Sequence, residues 1–495
     1  MTLSVLQVAS EAVPLIKTGG LADVVGALPN AVAPHGVAMT TLLPGYPKVM
    51  AAAGKLRTVR KYDHLFGAKA RIGAAVLDDG MRLLVLDAPD LFARDGGPYS
   101  DAAGQDWPDN WRRFAALGRA AADLATGAGT VSGRGKGFDV LHAHDWQAAM
   151  APTYLRYDAQ ADATGSARGP VPSVLTIHNI AFQGHYGAEV FGGLGLPASA
   201  WALDGVEFHR GVSLLKGGLV SCDAITTVSP SYAREIQTAE FGMGLEGVIR
   251  ARANRVHGIL NGIDRRDWHP RHDPALAARF GKQTIARRSA NKRAIEQQFA
   301  LEPGDGPLFV IISRLTWQKG TDVLLECIDH LVGLGGRLTV LGSGDRDLEQ
   351  GLHAAAARHP GRVGVRIGYD EALSHLLQGG GDAILIPSRF EPCGLTQLYG
   401  LAYGCVPIVA ATGGLADTVI DANPAALDQG VATGVVFSGL RYDTLAMAIS
   451  RTVELHSQPA RWQQIQRNGM TADFGWSRSG AAYAELYRQL ARGSE

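Results

Sequence analysis

The chain has 495 residues, 46% of them apolar and 19% charged, with 47 basic side chains against 47 acidic ones. That length exceeds one ordinary core and implies two or three domains. The even charge excludes both a global basic field for nucleic acid and an acidic solvating tail, and no run of 18 or more apolar residues is present to span a membrane.

In chain order, residues 3–9 (LSVLQVA) read as a buried strand, KTGG as a loop, and 21 to about 34 as an amphipathic helix. VAMTTLLP at 37–44 is the next strand. Such a βαβ unit implies a parallel sheet covered by helices on both faces. Residues 125–137 (ATGAGTVSGRGKG) read as a flexible surface loop, and GRGKG lacks the spacing of a phosphate-binding P-loop. HAHDW at 142–146 stands at a strand end, and HNIAFQG at 178–184 follows the strand pattern VLTI.

The same plan restarts with LFVIIS at 308–313, the loop SRLTWQKG, a helix over 321–334 and RLTVLG at 337–342. DAILIPS at 382–388 leads into a helix beginning near Gly394, and PIVAAT at 407–412 precedes the loop TGGLADT. AAYAELYRQLAR closes the chain as a helix. Two doubly wound halves follow, with a boundary near 245–260. Open parallel sheets bind ligands beyond the carboxyl ends of their strands, so loops from both halves are expected to line a cleft.

Cys222, Cys327, Cys393 and Cys405 form no C-x-x-C pair. This points to a reduced, intracellular protein without a disulfide framework or structural zinc. The stretch MTLSVLQVASEAVPL has no basic n-region, and Glu11 interrupts it, which argues against a secretory signal.

Lys17 lies in a Gly-containing turn between strand and helix, where backbone amides and a helix N-terminus favour an anion; a solvated turn lysine fits equally well. Arg314 and Lys319 share the loop after a strand and suit a diphosphate leaving group better than two stray surface cations do. Glu391 precedes a helix whose first amides, at Gly394, Leu395 and Thr396, are expected to be free. It reads either as a contact for sugar hydroxyls or as a carboxylate favoured by the helix dipole. Cys393 reads as a small buried hydrophobe rather than a nucleophile. His142 and His144 stand two apart with no third or fourth ligand identifiable, so HAHDW reads better as a polar strand-end cluster lining the cleft than as a zinc site. Asp345 and Asp347 read as a chance pair in a surface loop.

Taken together, KTGGLADVVGALP, HAHDW, LTIHNIAFQG, AEFGMGLEGV, LNGID, SRLTWQKG, PSRFEPCGLTQLYGLAYG and TGGLADTV closely resemble the bacterial glycogen synthases and plant starch synthases. The resemblance runs in order over essentially the whole chain. It implies an α/β GT-B fold: two Rossmann-like, doubly wound domains facing a central cleft. The expected segments are 1–250, 251–470, and a C-terminal helix within 471–495 that crosses back to the first domain. It also implies transfer of glucose from ADP-glucose to the non-reducing end of an α-1,4-glucan such as glycogen, with anomeric retention and no cofactor.

By the same resemblance, Lys17, Gly19 and Gly20 contact the sugar nucleotide, and Arg314 and Lys319 hold the diphosphate. Glu391 is the principal active-site carboxylate, the amides of Leu395 and Thr396 add phosphate contacts, and Cys393 and Gly394 belong to the same substrate-binding loop. Tyr369 packs near the adenine, and His178 and Asp145 lie beside the donor glucose. Tyr399 stands where related glycosyltransferases carry a second Glu. Ala410 and Ala411 stand where members commonly carry an Arg. With only sixteen residues before Lys17, a bacterial cytoplasmic enzyme is expected rather than a plastid one. No membrane or nucleic-acid partner is expected, and a homo-oligomer stays open. The rival readings are a phosphorylase-like enzyme, which would carry pyridoxal phosphate, and a glucan- or nucleotide-sugar-binding protein without turnover.

Overall fold

The computed structural model describes residues 2–127, 137–161 and 171–493. Residues 128–136, most of the expected 125–137 loop, lie outside the described residues. The chain forms two units, Met1–Gly262 with Trp476–Glu495, and Ile263–Gly475.

The strands of the first unit are β1 (Leu3–Val8), β2 (Val37–Pro44), β3 (Arg57–Leu65), β4 (Ala68–Val76), β5 (Arg82–Asp87), β6 (Val140–His144), β7 (Ser173–Ile177), β8 (His185–Gly187), β9 (Glu207–Phe208), β10 (Gly211–Ser213), β11 (Ala224–Thr227) and β12 (Val256–Gly258). Nine of them build one sheet in the order β12-β11-β7-β6-β1-β2-β5-β4-β3, while β8, β10 and β9 form a separate small sheet. The sheet is parallel from β12 to β5, and β4 and β3 extend it as antiparallel strands. From β1 the chain moves to β2 on one side and later to β6 on the other, so the topological switch lies between β1 and β6. β12 pairs with β11, which keeps residues 251–262 with this unit.

The helix Trp476–Arg492 packs on the same unit. Its buried residues Ser479, Gly480, Tyr483, Ala484, Leu486 and Tyr487 recur at helical spacing and form one apolar face. That face joins Val5, Leu28, Val32, Val37 and Val140 in one core. Gly480 allows the closest approach, because a Cβ there would sit 2.2 Å from the Ala31 carbonyl oxygen. The Tyr487 hydroxyl meets His142 Nδ1 at 2.7 Å.

The second unit holds β13 (Leu308–Ile312), β14 (Arg337–Gly342), β15 (Val363–Ile367), β16 (Ala383–Ile386), β17 (Val406–Ala410) and β18 (Val435–Phe437). They form an all-parallel sheet in the order β15-β14-β13-β16-β17-β18. This is the doubly wound order of a dinucleotide-binding fold, with its switch between β13 and β16. Side chains alternate across the sheet. Phe309, Ile311, Ala383 and Leu385 enter one core with the helices Thr321–Gly333 and Tyr442–His456. Leu308, Val310, Ile384 and Ile386 enter the other, with Ile295, Leu373 and Leu377. Both faces are therefore covered, which explains why these strands read as unbroken apolar runs. Truncating Phe309 to Ala would cost about 3–5 kcal/mol through lost burial and an unfilled cavity.

Candidate functional site

In the first unit, the loops after β1 and β6 leave the sheet at its switch point. The loop after β1 carries Lys17, Gly19 and Gly20, the last of which opens the helix Gly20–Val32. Glu11, 2% exposed, organises this loop. Its carboxylate accepts from the Thr18 hydroxyl at 2.7 Å, and also from the Thr18 amide and the Tyr99 hydroxyl. Lys17 Nζ donates to Asp23 Oδ1 at 2.8 Å and keeps a side chain 42% exposed. Gly19 has φ −160°, which any residue adopts, and a Cβ there would meet nothing within 4 Å. No contact within the described chain therefore demands glycine at that position.

His144 ends β6, and Asp145 follows with φ +55°. Asp145 Oδ1 accepts the His178 amide at 2.6 Å, which ties the end of β6 to the residue after β7. Burial lifts the Asp145 carboxyl to about 7, although the amides of His178 and Asn179 donate to it. Burial also lowers His178 to about 3 and takes His144 well below the usual imidazole range, so both rings are neutral at physiological pH. His142, with its ring centroid 4.2 Å from that of His144, is engaged at both nitrogens: Nε2 meets Thr176 Oγ1 at 2.6 Å, and Nδ1 meets Tyr487. With both nitrogens engaged it serves packing, and among the described residues no group of three His, Cys, Asp or Glu is placed to hold a metal ion.

In the second unit, the loops after β13 and β16 again flank the switch point. Lys319, from the first loop, places Nζ 2.5 Å from Glu391 Oε2, from the second. Their side chains are 17% and 10% exposed, so the pair sits in a poorly hydrated environment where charge interactions are strong. Ser388 Oγ donates to the same oxygen at 2.9 Å. Arg314 is exposed directly after β13. Tyr369, after β15 at the same sheet edge, is 74% exposed.

The Glu391 loop is held from two sides. Arg389 forms a bidentate pair with Asp322 at 2.8 and 2.7 Å and lies 4.4 Å over the Trp317 ring, locking the two loops together. From the other side Gly413 and Gly414 press on its backbone. A Cβ on Gly413 would sit 2.0 Å from the Glu391 carbonyl oxygen, and one on Gly414 would sit 2.1 Å from that of Cys393. Cys393 is buried and in no disulfide. Gly394 adopts φ +68°, and Gln397 Nε2 reaches back to the carbonyls of Cys393 and Gly394, both at 2.9 Å. The helix Thr396–Tyr403 then starts at N-cap Leu395 with no side chain capping it. Orphan amides and the positive end of the helix dipole are thus available beside Glu391.

Residues 4–251 match the starch synthase catalytic domain model, and residues 292–469 match the model for glycosyl transferases group 1. A glycogen synthase of Novosphingobium aromaticivorans is 67% identical over 490 residues, covering 99% of both chains. The chain belongs to the glycogen synthase family. A Mesorhizobium japonicum glycogen synthase is 56% identical, again with 99% of each chain covered. The solved catalytic domain of Arabidopsis thaliana starch synthase IV, bound to ADP and acarbose, is 30% identical. It superposes with a TM-score of 0.85 over 99% of this chain and 100% of that one. The fold is therefore the two-domain α/β GT-B fold of the glycogen and starch synthases.

Family motifs direct attention to the residues proposed to meet a ligand and pass over those that hold them. Glu11, Ser388, Asp322, Arg389, Gly413 and Gly414 went unassigned in the sequence. The signal for the two glycines was present, in TGG following a strand, but their partner is backbone and leaves no trace in residue type. Asp345, read as part of a surface loop, is the N-cap of the helix Arg346–Arg358, and Asp347 lies in its first turn.

Proposed function

We propose that this protein elongates an α-1,4-glucan such as glycogen with glucose from ADP-glucose, retaining the anomeric configuration and using no metal or cofactor. The observation that carries this reading is the Lys319–Glu391 pair at the topological switch of the second unit. Arg314 and Lys319 bind the diphosphate and neutralise the charge that grows as the glycosidic bond to phosphate breaks. The amides of Leu395 and Thr396, at an uncapped helix start, add phosphate contacts. Glu391 contacts the sugar, with Cys393 and Gly394 forming its binding loop, and Tyr369 packs near the adenine.

In the first unit, Lys17, Gly19 and Gly20 contact the sugar nucleotide. The open space at the Gly19 Cβ position fits close approach of a ligand to the backbone. His178 and Asp145 lie beside the donor glucose. Glu391 is engaged by Lys319 and Ser388, which disfavours it as a free nucleophile. The reading is front-face attack by the acceptor hydroxyl on a carbon whose leaving group is stabilised. Trapping a glucosyl ester on any Asp or Glu would refute it. The enzyme works in the cytoplasm on dissolved nucleotide sugar and glucan.

The test is incorporation of glucose into glycogen from ADP-glucose and UDP-glucose side by side, with Glu391→Ala as control. Turnover with ADP-glucose that the variant loses supports the reading. A folded protein that turns over neither donor with a primer present overturns it.

A further inference from the structure

Four buried polar residues in the first unit form a line of hydrogen bonds whose polarity can be followed from end to end. Gln7 on β1, fully buried, accepts from Thr41 Oγ1 on β2 at 2.8 Å through Oε1. Its amide nitrogen then faces His144 Nε2 at 3.2 Å. An amide nitrogen only donates, so His144 Nε2 must offer a lone pair. A neutral imidazole carries one proton, which therefore sits on His144 Nδ1. That nitrogen lies 2.9 Å from His178 Nε2 and donates to it. The single proton of His178 is then left on Nδ1, pointing away from the chain of bonds.

We infer that Gln7, acting through His144, fixes His178 in the Nδ1–H tautomer, and that Gln7 and His144 are positioning residues for a hydrogen-bond donor presented at the end of β7. Burial keeps both rings neutral, so the relay holds one direction rather than averaging over protonated forms. The consequence is specificity of direction. A sugar hydroxyl can donate or accept, but opposite this nitrogen it can only accept, and its own proton must turn elsewhere. This consequence rests on the reading that His178 lies beside the donor glucose; the tautomer itself does not.

The test compares the full chain with Gln7→Glu and Thr41→Val. A carboxylate at position 7 accepts only, so it draws the His144 proton to Nε2 and reverses every bond after it. Proton–nitrogen correlation spectra of the 15N-histidine-labelled protein, with His178 assigned by substitution, read the tautomers directly. The wild type is expected to show His178 protonated at Nδ1 and Gln7→Glu to show it at Nε2. The kcat for glucose transfer should fall about 10- to 100-fold in the latter, for one transition-state hydrogen bond lost, while the KM for the glucan stays within about twofold. Thr41→Val adds no charge and guards against a Gln7→Glu variant that fails to fold. It frees the Gln7 amide to flip and should give a mixture of His178 tautomers. His178 protonated at Nε2 in the wild type, or a tautomer unmoved in both variants, overturns the relay. Tautomers that switch with no change in kcat uphold the relay and remove His178 from the transfer reaction.

Discussion

The Lys319–Glu391 pair makes a prediction that separates stability from catalysis. Removing one member of a buried pair strands the other charge, which typically costs about 3–5 kcal/mol. Here the side chains keep 17% and 10% exposure, and Ser388 still bonds Glu391, so the low end applies. Lys319→Met should therefore destabilise the protein by about 3 kcal/mol. Glu391→Gln, which strands the ammonium instead, should do about the same. In a unit of some two hundred residues this lowers Tm by about 6–12 °C. The double variant removes both charges and leaves an amide that Ser388 can still bond. It should cost no more than either single change, a coupling of about 3 kcal/mol in a double-mutant cycle.

Activity should behave differently. If the pair serves the diphosphate and the sugar, all three variants lose at least about 100-fold in kcat, and the double variant stays inactive although it is no less stable than either single variant. Calorimetry gives the stability side, and incorporation of labelled glucose into glycogen gives the other. Additive stability losses would mean the two charges do not depend on each other. Activity restored in the double variant would mean that the pair is a structural bridge.

Gly414→Ala places a methyl group 2.1 Å from the Cys393 carbonyl oxygen. The overpacking should cost about 1–3 kcal/mol, and the displaced Glu391 loop should lower kcat at least about 10-fold, because sub-ångström misplacement is costly at a reacting centre. Wild-type kcat in a variant of normal Tm would show that the loop tolerates the shift. A pH titration of Tm tests the buried rings of the first unit. His142 and His178 are lowered to about 3 by burial, and His144 is also lowered. The unfolded chain protonates all three near pH 6.5. Asp145, raised to about 7, works the other way, since the fold holds a proton that the unfolded chain releases near pH 4. The stability contributed by neutral imidazoles is therefore complete above about pH 6.5 and lost below it. Between about pH 6 and 4 the unfolded form binds a net two more protons, so stability falls by about 2–3 kcal/mol per pH unit. Asp145→Asn should steepen that slope, and a flat profile would contradict the burial argument.

The regular parts of the fold were legible because both faces of each parallel strand are covered. VAMTTLLP and RLTVLG read as strands over the residues that form β2 and β14. The loops with Lys17, Arg314, Lys319 and Glu391 followed from their place after such strands. The antiparallel β3–β4 extension did not emerge, since Arg57, Arg60, Lys61 and His64 give that edge a surface pattern. Buried charge was equally hidden. Arg337 opens β14 at 1% exposure and is satisfied by Glu296 and the carbonyls of Glu302, Gly304 and Gly306. Those partners lie 31–41 residues away in sequence. Gln7 was hidden for the same reason: within LSVLQV it is one strand residue among six, and its chemistry comes from Thr41 and His144.

Position 399 shows how the surroundings of Glu391 limit the mechanism. Eight residues after Glu391 this chain carries Tyr399. The ring stacks on Trp268 with centroids 3.6 Å apart and planes at 12°, and Trp268 in turn stacks on His375 at 3.8 Å. His375 Nδ1 meets Asp273 at 2.6 Å, and the Tyr403 hydroxyl also donates to that carboxylate. Tyr399 thus packs into an apolar cluster with Ile263, Leu398, Leu401 and Phe474. A carboxylate in its place would lose the stack and lie against apolar surface, where its charged form is disfavoured. In the proposed reading the sugar-side carboxylate of this unit is Glu391, and it is already paired with the lysine proposed to serve the leaving group. A single engaged carboxylate suits stabilisation of departing charge better than covalent capture of the sugar, and the ester-trapping experiment is the measurement that bears on it most directly.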